Sequence, residues 1–160
     1  MATEEQFEQF PEEIQSGGAA GLTHDEMTMA ALAHAGIVLG LITNGLGGIV
    51  VALAIWLYER ERSAWVSFQA LQALVFQIAL LAVTVLVGSV VGVLWAVVGT
   101  LAAIIVGLFL IPPAGALTLL LIAIPLAGLG YGLYAAYETY HGREVHYWLV
   151  ADFLKRERVR

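Results

Sequence analysis

One imidazole and four side-chain amides stand within or between the apolar stretches of this sequence, and their chemistry is narrow. His34 is the only histidine inside an apolar run; Asn44 follows ten residues later, beside Thr43, and Gln69, Gln72 and Gln77 lie on the next run, the first two at i, i+3 spacing. Amides donate and accept hydrogen bonds and do nothing more. An imidazole can also move a proton or ligate a metal or haem iron. Two readings follow. The five, with Thr43, could line one polar cavity, or they could make separate hydrogen bonds between helices, as polar groups in membrane bundles commonly do. The second is preferred. His34 then reads as a neutral group donating to a carbonyl of a neighbouring helix. Haem or chlorophyll ligation by His34 is the weaker alternative, and the expected cofactor is none.

A second cluster, His141, Glu144 and His146, places three metal-capable side chains within six residues. Spacing i, i+3, i+5 matches no recognised metal site, so the cluster reads as exposed tail. The metal-hydrolase motif H-E-x-x-H, the nucleophile elbow G-x-S-x-G and the Walker phosphate loop do not occur. No pair of carboxylates falls inside an apolar run, which removes the usual groups of proton-coupled transport. The chain has no cysteine, so thiol catalysis and disulfides are excluded. These absences predict a protein that is not an enzyme.

The elements that must position those residues are set by a long uncharged run. Ser63 to Tyr137 holds no Asp, Glu, Lys or Arg. Overall 60% of the 160 residues are hydrophobic and 12% charged, with mean hydropathy +0.84; soluble domains carry about 25% charged residues. Stretches such as Leu101 to Ile111 do not alternate with period two, as barrel strands would. Non-alternating apolar segments in lipid must be helices, because every backbone amide has to be satisfied internally. The fold class is therefore all-α, an integral membrane helical bundle of about four transmembrane helices with a broken first segment.

Three regions follow along the chain. Residues 1–22 form an acidic, disordered lead, without the basic start of a signal peptide. Residues 23–142 form the transmembrane helical domain. Residues 143–160 form a basic interfacial tail. Thr23 to Glu26 has the form of a capping box, which starts the first helix at His24. Residues 27 to 58 are too many for one upright pass and too few for two. The glycines and asparagine of Thr43 to Gly48 should break them, and at least one of the three glutamines is expected to hydrogen-bond the break. Glu59 to Arg62 is the first loop, Ser63 caps the next helix, and Gly88 to Gly92 is the expected turn before a third span over Val91 to Ile111. Pro112 and Pro113 end that span, and the fourth runs to about Tyr140 with a kink at Pro125 and a stop at Gly142. The glycine pairs Gly36/Gly40, Gly88/Gly92 and Gly128/Gly132 have the spacing that lets helices approach closely.

Charge and length disagree about topology. Four spans place five of the seven bases with the termini and two in the first loop, whereas three spans place all seven on one side. Length favours four, since two helices made from 75 uncharged residues would each exceed about 50 Å against a lipid core of about 30 Å. Both termini are expected in the cytoplasm, with the protein a multi-pass component of the inner membrane.

Met29 to His34, a glycine break, Ile55 to Leu57, a charged turn, Phe68 to Gln77, and Tyr140 to Trp148 resemble, in that order, a family of small bacterial membrane proteins of unknown function. That family is related to the membrane component of the chloroplast inner-envelope Tic translocon. The resemblance covers about residues 26 to 154 and implies a membrane scaffold or translocation-related role. Two functions are thus expected for test. One is a non-enzymatic accessory or scaffold subunit of a larger membrane complex, with lipids and other membrane subunits as partners in a homo- or hetero-oligomer. The other is a Tic-like channel acting as an oligomer. No basic patch with interleaved aromatics points to nucleic acid.

Overall fold

The structure, a computed structural model, describes residues 21–102 and 106–145. Most of the acidic lead and the tail from residue 146 onward, His146 included, lie outside the described residues. All regular structure within them is helical: α1 (His24–Ala35), α2 (Ile37–Ile42), α3 (Leu46–Glu59), α4 (Ala64–Ala102), a 3-10 turn (Val106–Leu110) and α5 (Ile111–Tyr140). Three helical stretches are long and apolar enough to cross a membrane, His24–Ile42, Ala64–Ala102 and Gly107–Tyr140, and Leu46–Glu59 is a shorter apolar helix.

The start of α1 is fixed by local chemistry. Thr23 Oγ1 accepts from the Glu26 backbone amide at 3.2 Å, and the Glu26 carboxylate accepts from the Thr23 amide at 2.9 Å. The same carboxylate accepts from Ser63 Oγ at 2.7 Å, and Ser63 Oγ in turn accepts from the Val66 amide at 3.3 Å. Two helix starts, α1 and α4, are thereby tied together at one end of the bundle. The end of α5 lies there too, with the Tyr140 ring 5.8 Å from that of His24.

The break in the first segment falls where the sequence predicts it, but it is a tight reversal. Asn44 (φ 52°) and Gly45 (φ 93°) are both left-handed, a conformation that glycine adopts freely and asparagine tolerates. Thr43 closes the turn: its hydroxyl donates to Leu39 O at 2.7 Å and accepts from the Gly47 amide at 2.7 Å. The Gly45 amide returns to Gly40 O at 2.6 Å. Helices α1 and α2 therefore run one way and α3 runs back, as a helical hairpin.

Two corrections follow. Gly88 to Gly92 is not a turn, because α4 runs unbroken for 39 residues through it. Each glycine costs a helix only about 1 kcal/mol, while opening the helix in lipid would strand backbone groups at several kcal/mol apiece. Ser89 is satisfied within the helix, donating to Val85 O at 2.8 Å. The chain has instead already turned back on the end of α4 by Gly107, which lies against Val98, Leu101 and Ala102, and Pro112 and Pro113 occupy the first turn of α5. Of the expected third span, Val91 to Ile111, the part up to Ala102 is therefore the end of α4 and Val106–Leu110 is the 3-10 turn, and Pro125 lies inside a continuous α5. The loop from Glu59 to Ser63 also lies at the same end as the start of α1 and the end of α5, not opposite them, because the first segment makes two legs rather than one.

Candidate functional site

A seam of polar side chains runs between the hairpin of α1 to α3 and the first half of α4. On α4, Gln69, Ala73 and Gln77 recur at i+4 steps and so share one face, with Gln72 beside them. His34 is 1% exposed, Gln69 and Gln72 0%, and Gln77 5%. The surrounding core is built of small residues, Ala33, Ala52, Ala70 and Ala73, with Leu74. Small side chains bring the backbones close, and the long amides fill the space between them.

Hydrogen bonds cross the seam at His34 and at Gln77. His34 Nε2 lies 3.4 Å from Gln69 Oε1, a long hydrogen bond. Gln77 Nε2 donates to Ala33 O at 3.2 Å. The glutamine expected to bond the break at Thr43 to Gly48 thus bonds ten residues earlier, about three turns before it, near the end of α1, where the helix shifts at Gly36. Thr43, whose role the sequence reading missed, satisfies the break itself; a threonine four residues before a glycine-rich helix start was the available signal. Gln77 Oε1 nonetheless reaches the break, since it lies where a Cβ on Gly48 would stand. Among the described residues, Gln69 Nε2 and Gln77 Oε1 have no hydrogen-bond partner.

Asn44 is not part of this seam. It is exposed at the hairpin tip and lines a mostly apolar cavity of about 490 Å³ with Leu41, Gln77, Leu81, Thr84 and Pro125. Gln77 is the one residue common to the seam and the cavity.

The glycine pairs divide. A Cβ on Gly36 would stand 2.9 Å from Val51 Cγ1, and one on Gly132 would stand 2.9 Å from Ile37 Cγ2. A Cβ on Gly128 would collide with the Leu80 side chain. Gly40 faces the backbone of Gly45 and Gly48 at 3.5 Å. These are close helix contacts. Gly88 has only ordinary contact with Leu121, at 3.6 Å, and Gly92 meets nothing within 4 Å.

At the end of α5, His141 Nδ1 lies 2.7 Å from Tyr137 O, and Arg143 Nη2 donates to Glu138 Oε1 at 2.9 Å. Hydrogen bonding to Glu138 raises the Arg143 guanidinium above its ordinary range. Among the described residues no group of three His, Asp or Glu is placed to hold a metal ion.

Amides and one imidazole, buried among alanines, can lock helices in register and fix their angles. The fold and seam define a multi-pass helical membrane protein whose interior polar groups bind its own helices. Residues 25–154 match the magnetosome magnetite crystal formation protein family (MamF/MmsF), and the chain belongs to that family. Comparison with curated proteins gave no match, and comparison with solved structures gave none either. The family match overturns the resemblance to the Tic-related family. Alanine and glycine faces, a His, a Gln stripe and aromatic ends are what any close-packed helical hairpin in lipid requires, so short motifs of those residues recur without kinship.

Proposed function

We propose that the chain is a non-enzymatic scaffold subunit of the magnetosome membrane that acts in magnetite crystal formation through contacts. The observation that carries this reading is the family match, which spans the whole helical bundle. The seam supports it, because His34 and Gln77 are engaged by neighbouring helices. His34 is then structural and holds no cofactor. The partners are lipids and other membrane subunits, in a homo- or hetero-oligomer. The end carrying Arg60, Arg62 and Arg143 faces the cytoplasm, by the bias of basic residues toward that side, and both termini lie with it. The channel alternative rested on the overturned resemblance and falls with it.

Deletion of the gene in a magnetosome-forming cell tests the proposal. Electron microscopy should show magnetite crystals altered in size or number, restored by the parent chain and equally by His34→Gln, which keeps a hydrogen-bonding side chain. Unchanged crystals on deletion would overturn the function. A pigment or haem bound to the parent and lost in His34→Gln would overturn the structural role of His34. After mild detergent extraction the chain should migrate in an assembly; a lone monomer would refute the scaffold.

A further inference from the structure

The cavity of about 490 Å³ near the hairpin tip lies between α2, α4 and α5. Small-molecule sites have volumes of about 300–1,000 Å³, so this one is large enough for a ligand. Leu41, Leu80, Leu81 and Leu129 make its wall largely apolar. One polar group in that wall lacks its donor. Leu121, Pro125 and Leu129 all line the cavity and stand at i+4 steps, on one face of α5. Pro125 lies inside the helix and has no amide hydrogen. The Leu121 carbonyl, four residues earlier, therefore loses the donor that a helix ordinarily gives it. Its oxygen sits between Leu121 and Pro125, on the side of α5 that lines the cavity. Nearby side chains commonly resupply a carbonyl freed in this way. Here the candidates are committed elsewhere. The Thr84 hydroxyl donates to Leu80 O at 2.8 Å, and Gln77 Nε2 donates to Ala33 O at 3.2 Å. Asn44, the remaining polar side chain in the wall, stands exposed at the hairpin tip, and among the described residues no hydrogen bond joins it to α5.

We propose that the cavity binds a membrane-soluble alcohol, an apolar molecule whose body lies against the leucines and whose hydroxyl donates to Leu121 O. The two features select together. An alkane chain would fill the cavity but leave the carbonyl without a donor, which is costly away from water. A water molecule would supply the donor but needs two to four polar partners of its own, and most of this wall is hydrocarbon. An anion brings no donor and meets no positive charge, since no Lys, Arg or His lines the cavity. Gln77 Oε1 also has no donor among the described residues. It packs against Gly48 of α3, which is not part of the cavity wall, so the hydroxyl is read by the backbone of α5 and not by the seam. Binding here requires only the helical fold, not a role in magnetite formation.

Photolabelling of the full chain in nanodiscs of zwitterionic lipid tests this. The probes are dodecanol with a diazirine on its chain and the methyl ether of the same molecule, which cannot donate. Labelling is mapped by mass spectrometry and scaled to that at Leu86 and Val93, which point outward. The alcohol should label cavity residues, Leu81 and Leu129 among them, about fivefold more than the ether does, the worth of one hydrogen bond. Pro125→Ala returns an amide to Leu121 O and should make the two probes equal. Gly88→Phe should abolish cavity labelling by both, since Gly88 lines the cavity and only Leu121 lies within 4 Å of an added Cβ. If the phenylalanine variant does not fold, Pro125→Ala decides the matter, because alanine suits a helix. Equal labelling by the two probes in the parent overturns the proposal and leaves only apolar filling of the cavity. It is overturned equally by a preference for the alcohol that survives Pro125→Ala, by cavity labelling that persists in a folded Gly88→Phe, or by labelling no stronger in the cavity than at Leu86 and Val93.

Discussion

Gly48→Ala should be among the most damaging single-methyl changes in this protein. The added Cβ would fall on Gln77 Oε1 and 2.9 Å from the Gly36 carbonyl oxygen. The glutamine could swing away, but its amide would then give up the bond to Ala33 O. The Gly36 carbonyl cannot swing, so α3 must also move off the end of α1. Forcing a methyl into a packed core costs about 1–3 kcal/mol. A polar bond lost within a membrane bundle adds about 0.6 kcal/mol. Alanine regains at most about 1 kcal/mol of helix propensity. The net is a loss of about 2 kcal/mol, roughly a thirtyfold change in the folded-to-unfolded ratio. Gly92→Ala is the matched control, since nothing lies within 4 Å of its new methyl; it should be neutral or stabilising by up to about 1 kcal/mol. Unfolding in mixed micelles of rising dodecyl sulfate content, followed by tryptophan fluorescence, compares the two. Equal midpoints for Gly48→Ala and the parent would show that the hairpin does not rest on this contact.

Gln77→Leu should lower stability by about 1 kcal/mol in the same assay; an unchanged midpoint would mean that the bond to Ala33 O contributes nothing net. Ser63→Ala removes both the cap on α4 and the donor to Glu26 Oε1, and should cost about 1 kcal/mol, read as an earlier midpoint; no shift would refute the tie between the two helix starts. Cysteines at Glu61 and His141 should be labelled by an impermeant reagent from the same side of sealed vesicles; labelling from opposite sides would refute the hairpin topology.

Much of the fold was legible because lipid leaves few alternatives. The uncharged run dictated helices, the capping box at Thr23 placed a helix start to the residue, and the left-handed pair Asn44–Gly45 lies within the predicted break. What failed was local punctuation read without its cost in lipid. Gly88 and Gly92 look like a turn by composition, yet a turn there would strand backbone groups that a continuous helix satisfies. The polar seam was legible in kind, since His34 and the glutamines are buried together, but the partner of Gln77 was not. Which carbonyl a side chain reaches depends on the shift at Gly36, and no spacing rule encodes that.

The conflict between charge and length has the same origin. With residues 27 to 58 counted as one broken segment, four spans require three helices within the uncharged run and place the first loop opposite the termini. The structure gives the first segment two legs and the uncharged run two. Four legs then leave Arg60, Arg62 and Arg143 at one end of the molecule, joined there by Ser63 to Glu26 and by Tyr140 to His24. The charge rule, which had seemed to require three spans, is met by four legs once the break is a reversal. The length objection does not vanish but moves onto a single element: α4, at 39 residues, is about 58 Å long. Tilted by 40°, the upper end of the usual range, it would still cover about 44 Å of depth, more than a core of about 30 Å. Only its first half is covered by the hairpin, whose tip at Gly45 meets Leu81; beyond Leu81, α4 is paired with α5 and the 3-10 turn. The second half presents Val85, Leu86, Val90 and Val93 outward, so this uncharged two-helix arm is the part of the molecule with the greatest need of apolar surroundings.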